Sequence, residues 1–373
     1  MLDESFVRKF RFFSLAATCV PVVLALAGCG GAGTDGERVG AQGALLSTSA
    51  SFGFGWTKST VSAATSYSTS GLPVSVTHTV GSGIYQVKFQ GLGDAGGNAQ
   101  VVAIGTTPVT CSVTSLTAAG PDELVNIRCF TVATGANADT DFAAYFGKRT
   151  VADEIGTQNG AYLTSDGAAG VVPGSEWSSV GSPASISILS AGRYSVKLPG
   201  QSASEGNAQV TAFGNANTHC KVEQWITSGG ATQVIVDCFK NNVADSSAFS
   251  LLYTAKQLPT TRTGAYMAAE RPFIAGPYIG LPAINRIFTP ALAAGSATST
   301  RLAASQYVTT YPSFATTSGS STVLLTANGS GPNYCHPTSW SAAGADEKVN
   351  VKCFSPSGGA GDTVYTQMFL RSF

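Results

Sequence analysis

The sequence predicts an all-β protein built of three tandem antiparallel β-sandwich domains, each with one disulfide inside a hairpin. Three observations predict it. Six cysteines fall into three pairs of one spacing. Apolar and polar residues alternate with the period of a strand between clusters of Gly, Ser and Pro. Only 11% of the 373 residues are charged while 43% are hydrophobic, so the chain is neither a charged helical protein nor disordered by composition.

The cysteines carry most of the argument. Cys111 and Cys129, Cys220 and Cys238, and Cys335 and Cys353 are each 18 residues apart. The midpoints are Gly120, Gly229 and Gly344. A glycine at the midpoint suits a hairpin turn, because it reaches positive φ without strain. A turn there sets the two cysteines opposite each other, with Cα atoms roughly 4.5–5.5 Å apart and within disulfide reach. The expected bridges are Cys111–Cys129, Cys220–Cys238 and Cys335–Cys353, each stabilising by about 3 kcal/mol in the chain-entropy picture. His219 and His336 adjoin a cysteine, but on opposite sides and with no counterpart in the first copy. No metal site is therefore expected.

The pairs sit inside a longer repeat. Copy one reads Tyr85-Gln86-Val87-Lys88-Phe89 and then Gly97-Asn98-Ala99-Gln100-Val101. Copy two reads Tyr194-Ser195-Val196-Lys197-Leu198 and then Gly206-Asn207-Ala208-Gln209-Val210. Copy three is worn, keeping Tyr307, Thr309 and Tyr311, then Val323 to Gly329. A Gly precedes each first Cys by six residues, and Phe130, Phe239 and Phe354 follow the second. Asp139, Asp245 and Asp362 come next, each expected to cap a turn before the last strand. The copies recur after 109 and then 115 residues, which is the period of domains and not of a solenoid. Tyr85, Val87 and Phe89 share a face, as do Val234, Val236 and Cys238, so each disulfide belongs on the core side. About seven short strands per copy suggest a sandwich of immunoglobulin-like size, although a bridge within one hairpin departs from the immunoglobulin pattern.

The boundaries are 49–150, 158–257 and 262–373 for the three repeats, the last with an apolar, Pro-rich insertion at 271–294. Before them, Arg8, Lys9 and Arg11 precede an apolar run from Phe12 to Leu26, too short for a comfortable membrane span. The run ends in Leu26-Ala27-Gly28-Cys29. This segment resembles the bacterial lipoprotein signal. The resemblance implies a signal peptide over 1–28, lipid on Cys29, a tether over 29–48, and a place in the cell envelope. Gly30 is compatible with transfer to the outer membrane of a Gram-negative cell. An oxidising compartment suits the disulfides. The repeat pattern resembles tandem Cys-paired repeats in exported proteins of other bacteria, a resemblance that brings no functional residues with it.

Balanced charge, 21 basic against 21 acidic residues, argues against nucleic acid as a partner. Residues shared by all copies read as scaffold. Trp225 and Trp340, each five residues after the first Cys where copy one has Leu116, read as apolar positions under the turn or as a platform for a sugar ring. Gly91-Leu92-Gly93-Asp94-Ala95-Gly96 matches G-x-G-x-x-G but leads into a strand, so it reads as a glycine-rich hairpin loop and not a phosphate cradle. Phe52-Gly53-Phe54-Gly55-Trp56 and the 271–294 insertion are peculiar to single copies, and are strands or loops over their own cores or exposed patches. Asp139-Thr140-Asp141 and Asp153-Glu154 are carboxylate pairs in loops. No catalytic residue, metal or cofactor is expected. The expected function is a non-enzymatic structural or adhesive envelope module, with a membrane reached through Cys29 and an envelope polysaccharide or surface protein as partner. The alternatives are an extracellular glycan-binding protein and, third, a hydrolase.

Overall fold

The computed structural model describes residues 51–57, 66–93, 96–148, 159–202, 206–255, 263–269, 276–279, 286–288, 297–315 and 321–371. The lipobox with Cys29, and the Asp153-Glu154 pair, lie outside these residues. The described chain is all strand and loop.

The first repeat holds β1 (Ser51–Thr57), β2 (Ser66–Ser68), β3 (Val74–Thr79), β4 (Ile84–Phe89), β5 (Asn98–Ile104), β6 (Val109–Ala119), β7 (Asp122–Thr131) and β8 (Asp141–Lys148). The second holds β9 (Asn159–Thr164), β10 (Trp177–Ser178), β11 (Ser185–Ser190), β12 (Arg193–Pro199), β13 (Asn207–Ala212), β14 (Thr218–Ser228), β15 (Ala231–Lys240), β16 (Val243–Ala244) and β17 (Phe249–Ala255). The third holds β18 (Thr263–Ala269), β19 (Gly276–Ile279), β20 (Arg286–Phe288), β21 (Thr298–Ala303), β22 (Gln306–Tyr311), β23 (Ser321–Asn328), β24 (Tyr334–Ala343), β25 (Asp346–Phe354) and β26 (Val364–Arg371).

Each repeat is a sandwich of two antiparallel sheets. Their orders are β2-β1-β8-β5 with β3-β4-β7-β6, then β10-β9-β17-β13 with β11-β12-β15-β14, then β20-β18-β26-β23 with β19-β21-β22-β25-β24; β16 adds to β15, and a parallel bridge from β14 to β23 runs a sheet of the second repeat into one of the third. The first strand of each repeat pairs with its last. This pairing differs from the immunoglobulin order, in which the first and last strands lie in different sheets, so the likeness to that fold stops at size. The glycine-rich segment 91–96 joins β4 to β5. Those strands lie in different sheets, so it is a crossover between sheets and not the hairpin loop the sequence suggested.

The cysteine hairpins form as the spacing predicts. Cys111 lies opposite Cys129, Cys220 opposite Cys238 and Cys335 opposite Cys353, with Cα atoms 4.0 Å apart in each pair. Gly120, Gly229 and Gly344 turn the chain at φ of 63°, 57° and 67°. All six sulfurs point into the cores. In the first repeat Cys111 and Cys129 pack with Val87, Phe89, Val113, Ile127 and Phe146, and the equivalent strands line the other two cores.

The insertion at 271–294 supplies two edge strands. β19 pairs with β21 and β20 with β18, which widens both sheets of the third sandwich. Ser47–Phe373 cluster as one compact unit, so the three sandwiches pack against one another.

Candidate functional site

The packing of the repeats is cyclic, and one backbone contact recurs at each seam. Gly214 N–H donates to Val113 O at 2.8 Å, Gly329 N–H to Val222 O at 3.1 Å, and Gly105 N–H to Pro337 O at 3.0 Å. Each glycine lies six residues before a first Cys, and each acceptor lies two residues after one. Repeat one thus meets repeat two, two meets three, and three returns to one. At the first two seams the contact is a parallel bridge, Val113 to Phe213 and Val222 to Asn328. Pro337 has no N–H, so at the third seam only its carbonyl takes part. A β-bulge follows the acceptor in every copy and bends the strand beyond the seam.

The Asn and Gln of the repeated Gly-Asn-Ala-Gln-Val run are the clamps of this ring. On β5, β13 and β23 the side chains facing away from the sandwich core face the neighbouring repeat. Asn98 Nδ2 donates to Ser250 Oγ at 2.7 Å and to Leu251 O at 3.1 Å. Gln100 Nε2 donates to Ser250 O at 3.1 Å, while its Oε1 accepts from Thr211 Oγ1 at 2.9 Å. One repeat on, Asn207 Nδ2 donates to Thr366 Oγ1 and to Gln367 O, and Thr326 Oγ1 donates to Gln209 Oε1 at 3.1 Å. These side chains are buried, so each bond replaces one lost to water. At the third seam the equivalent positions are Thr322, Leu324, Val102 and Ala143. There the contact is apolar, and Leu324 packs with Tyr145 and Met368. Thr322 Oγ1 is buried with no hydrogen bond among the described residues.

Further side chains cross the seams near the cysteines. His219 Nε2–H donates to Pro332 O and His336 Nε2–H to Thr107 O, both at 3.0 Å. Burial pushes both imidazoles down to about 4, against a weaker opposing pull from the carbonyls they donate to. They are neutral structural donors. Arg128 donates to Asn215 O and Lys352 to Thr106 O. In the second repeat the residue before the second Cys is Asp237, which cannot donate. Its cross-strand partner Lys221 reaches Asn333 O instead, with burial lowering the ammonium to about 8. A cavity of about 40 Å³ lies where the three repeats meet, lined by His219, Lys221, Tyr334, His336, Thr211 and Thr326 among others. It is far smaller than the roughly 300 Å³ of a small organic ligand's site.

The remaining candidates have structural roles. Asp139 accepts from Gly81 N, Gly83 N and His78 Nε2. These bonds hold its carboxyl below the usual carboxylate range despite the desolvation that opposes them. Asp362 accepts from Ser305 N, Tyr307 and Arg301 and is lowered in the same way. Both carboxylates tie the tip of the hairpin that opens the opposite sheet, and not only their own turn. The second repeat departs from the expectation. Asp245 accepts from Ser247 Oγ, while Ser246 takes the equivalent place and accepts from Gly192 N.

Trp225 and Trp340 are half-buried and pack against the cores of their own sandwiches, as Leu116 does in the first. Trp340 Nε1 donates to Ser321 Oγ at 3.1 Å. These contacts fit the apolar position under the turn better than an open platform. Gly96 is needed for packing, since a Cβ there would come within 2.0 Å of Gly174 O in the next repeat. Phe52 to Trp56 form β1, between β2 and β8. His78, His219 and His336 are not brought together, and no cluster of His, Cys, Asp and Glu suited to a metal occurs among the described residues.

Large apolar side chains reach solvent at equivalent hairpin tips. Val80, Leu189 and Leu302 each precede the left-handed residue of the tip (Gly83, Gly192 or Ser305) by three positions and are 88%, 53% and 61% exposed. Comparison with family models, with curated proteins and with solved structures finds no match to this chain. The class of protein is therefore set by the fold alone: a disulfide-bonded all-β chain of three sandwiches closed into a ring.

Proposed function

We propose that this chain is an exported cell-envelope protein, anchored by lipid on Cys29, whose ring of sandwiches serves as a non-enzymatic adhesive or structural head at the end of a tether. One observation carries the reading. The buried polar side chains at the seams (Asn98, Gln100, Asn207, Gln209, His219 and His336) are taken up by hydrogen bonds between repeats. Its exposed large apolar side chains include Val80, Leu189 and Leu302, one at each of three equivalent hairpin tips. Such tips suit contact with a surface protein. The disulfides support an oxidising compartment. Glycan binding is the weaker reading, because Trp225 and Trp340 pack on their own cores.

Two measurements test the proposal. Labelling cells with an alkyne-tagged palmitate should mark the membrane-bound protein, and Cys29→Ser should abolish the label and release the protein from membranes. An unlabelled wild type would overturn the lipid anchor. Folded, oxidised 47–373 should bind no member of a panel of envelope polysaccharides and host glycans. Saturable binding lost on Trp225→Ala or Trp340→Ala would establish the glycan reading instead.

A further inference from the structure

The third sandwich shows what the same edge of the other two can accept. β21 is the edge strand of its original sheet, and β19 lies antiparallel on its open side, pairing Gly276 with Arg301 through Ile279 with Thr298. By their partners on the next strand (Arg301 with Tyr307, Ile188 with Tyr194, His78 with Tyr85), Thr298–Arg301 correspond to Ser185–Ile188 of β11 and to Ser75–His78 of β3. The bulge near the tip begins after Arg301 in β21 and after Ile188 in β11, so it leaves this stretch regular in both. Among the described residues no strand lies on the open side of β11 or of β3.

The two open edges differ in protection. Sheet edges are ordinarily guarded by charge, proline or a bulge within the strand. In β3 the stretch contains His78, tied to Asp139 at 2.9 Å. In β11 it reads Ser-Ile-Ser-Ile, with no charge and no proline. Ser185, Ser187 and Ile188 are exposed, Ile188 by 49%. Pro183 and the Glu176 carboxylate, which accepts from Ala184 N, border the stretch on one side and the bulge after Ile188 on the other, so the open edge is Ser185–Ile188 alone.

We infer that β11 is a self-association edge, on which β11 of a second copy of this chain adds antiparallel and joins the two sheets into one. Three observations select a second copy as the occupant. The strand is self-complementary: a two-fold axis at Ser187 sets Ser187 against its own equivalent and Ile188 beside Ile186 of the second copy, on one face. The pairing brings no like charges together, and the chain's formal net charge is zero, so two copies do not repel. Strand addition at this site is sterically feasible, because β19 occupies its equivalent in the third sandwich.

Sedimentation velocity on oxidised residues 47–373, which contain all three cores, tests the inference over about two decades of concentration. The wild type should pass from monomer to dimer. Ser187→Lys sets two ammonium groups face to face across the axis and should weaken association by about tenfold or more. Ser187→Glu should do the same. Mixing the two variants should restore a dimer, a recovery that loss of folding could not mimic. Thr77→Lys, on the exposed face of β3, should leave the dimer unchanged. A wild type that stays monomeric throughout, or a dimer that both Ser187 variants leave intact, would overturn the inference.

Discussion

The amide of Gly214 donates to the carbonyl of Val113 at 2.8 Å, joining two repeats whose cysteine hairpins are 109 residues apart. The same bond recurs at the other two seams. Side chains around it decide how strong each seam is, and they make the three unequal.

Asn207→Ala should destabilise the chain by about 1–3 kcal/mol, because it takes a buried hydrogen bond from each of Thr366, Gln209 and the Gln367 carbonyl. Asn98→Ala should cost a similar amount. Thr322→Val, at the equivalent place in the apolar seam, should be neutral or stabilising, since it removes a buried hydroxyl that has no hydrogen bond. Urea unfolding of the three variants checks the contrast.

Acid should loosen the ring before it protonates most carboxylates. His219 and His336 have folded values near 4, below the ordinary 6.5 they regain on unfolding. The unfolded chain therefore takes up the protons first as pH falls. Stability is full above about pH 6.5 and declines toward pH 4, by on the order of 3 kcal/mol for each histidine. Urea midpoints at several pH values between 7.5 and 4 should show this slope, and the double variant His219→Gln with His336→Gln should flatten it.

Gly192→Ala should destabilise by about 2 kcal/mol or more. The residue sits at φ 70°, and a Cβ there would lie 2.5 Å from Asp245 N and 2.6 Å from Cys238 O. Ser305 occupies the equivalent tip at φ 59°, so Ser305→Gly should relieve strain at that residue and change stability by no more than about 1 kcal/mol. Thermal melts of the two variants should shift in unequal amounts.

Replacing Cys220 and Cys238 together by Ala should cost roughly 3 kcal/mol, the value expected for a loop of this length. The equivalent double variants of the other repeats should cost similar amounts, because all three pairs join directly opposed residues of adjacent strands. Denaturation of the oxidised variants against wild type measures it.

These relationships were unequally legible in the sequence. The hairpins could be read because their signals are local: equal spacing, a central glycine and an alternating strand. Asn98 and Gln100 carried no local sign of their role, since their partners Ser250 and Thr211 lie more than a hundred residues away and meet them only when the ring closes. The absence of both residues from the third copy was the available clue, because a position that clamps two seams and not the third need not be kept in every repeat. The register of the repeated Asp failed by one residue in copy two, where Ser246 holds the place expected of Asp245. The strand order was hidden for the same reason as the clamps: pairing of the first strand with the last depends on contacts across a whole repeat.

Closure of the three repeats into one body is the central claim, and small-angle X-ray scattering of oxidised residues 47–373 tests it most directly. A closed ring of this length should give a radius of gyration of about 20 Å, the value for a compact chain. A radius well above that, with the elongated distance distribution of domains strung in line, would contradict it.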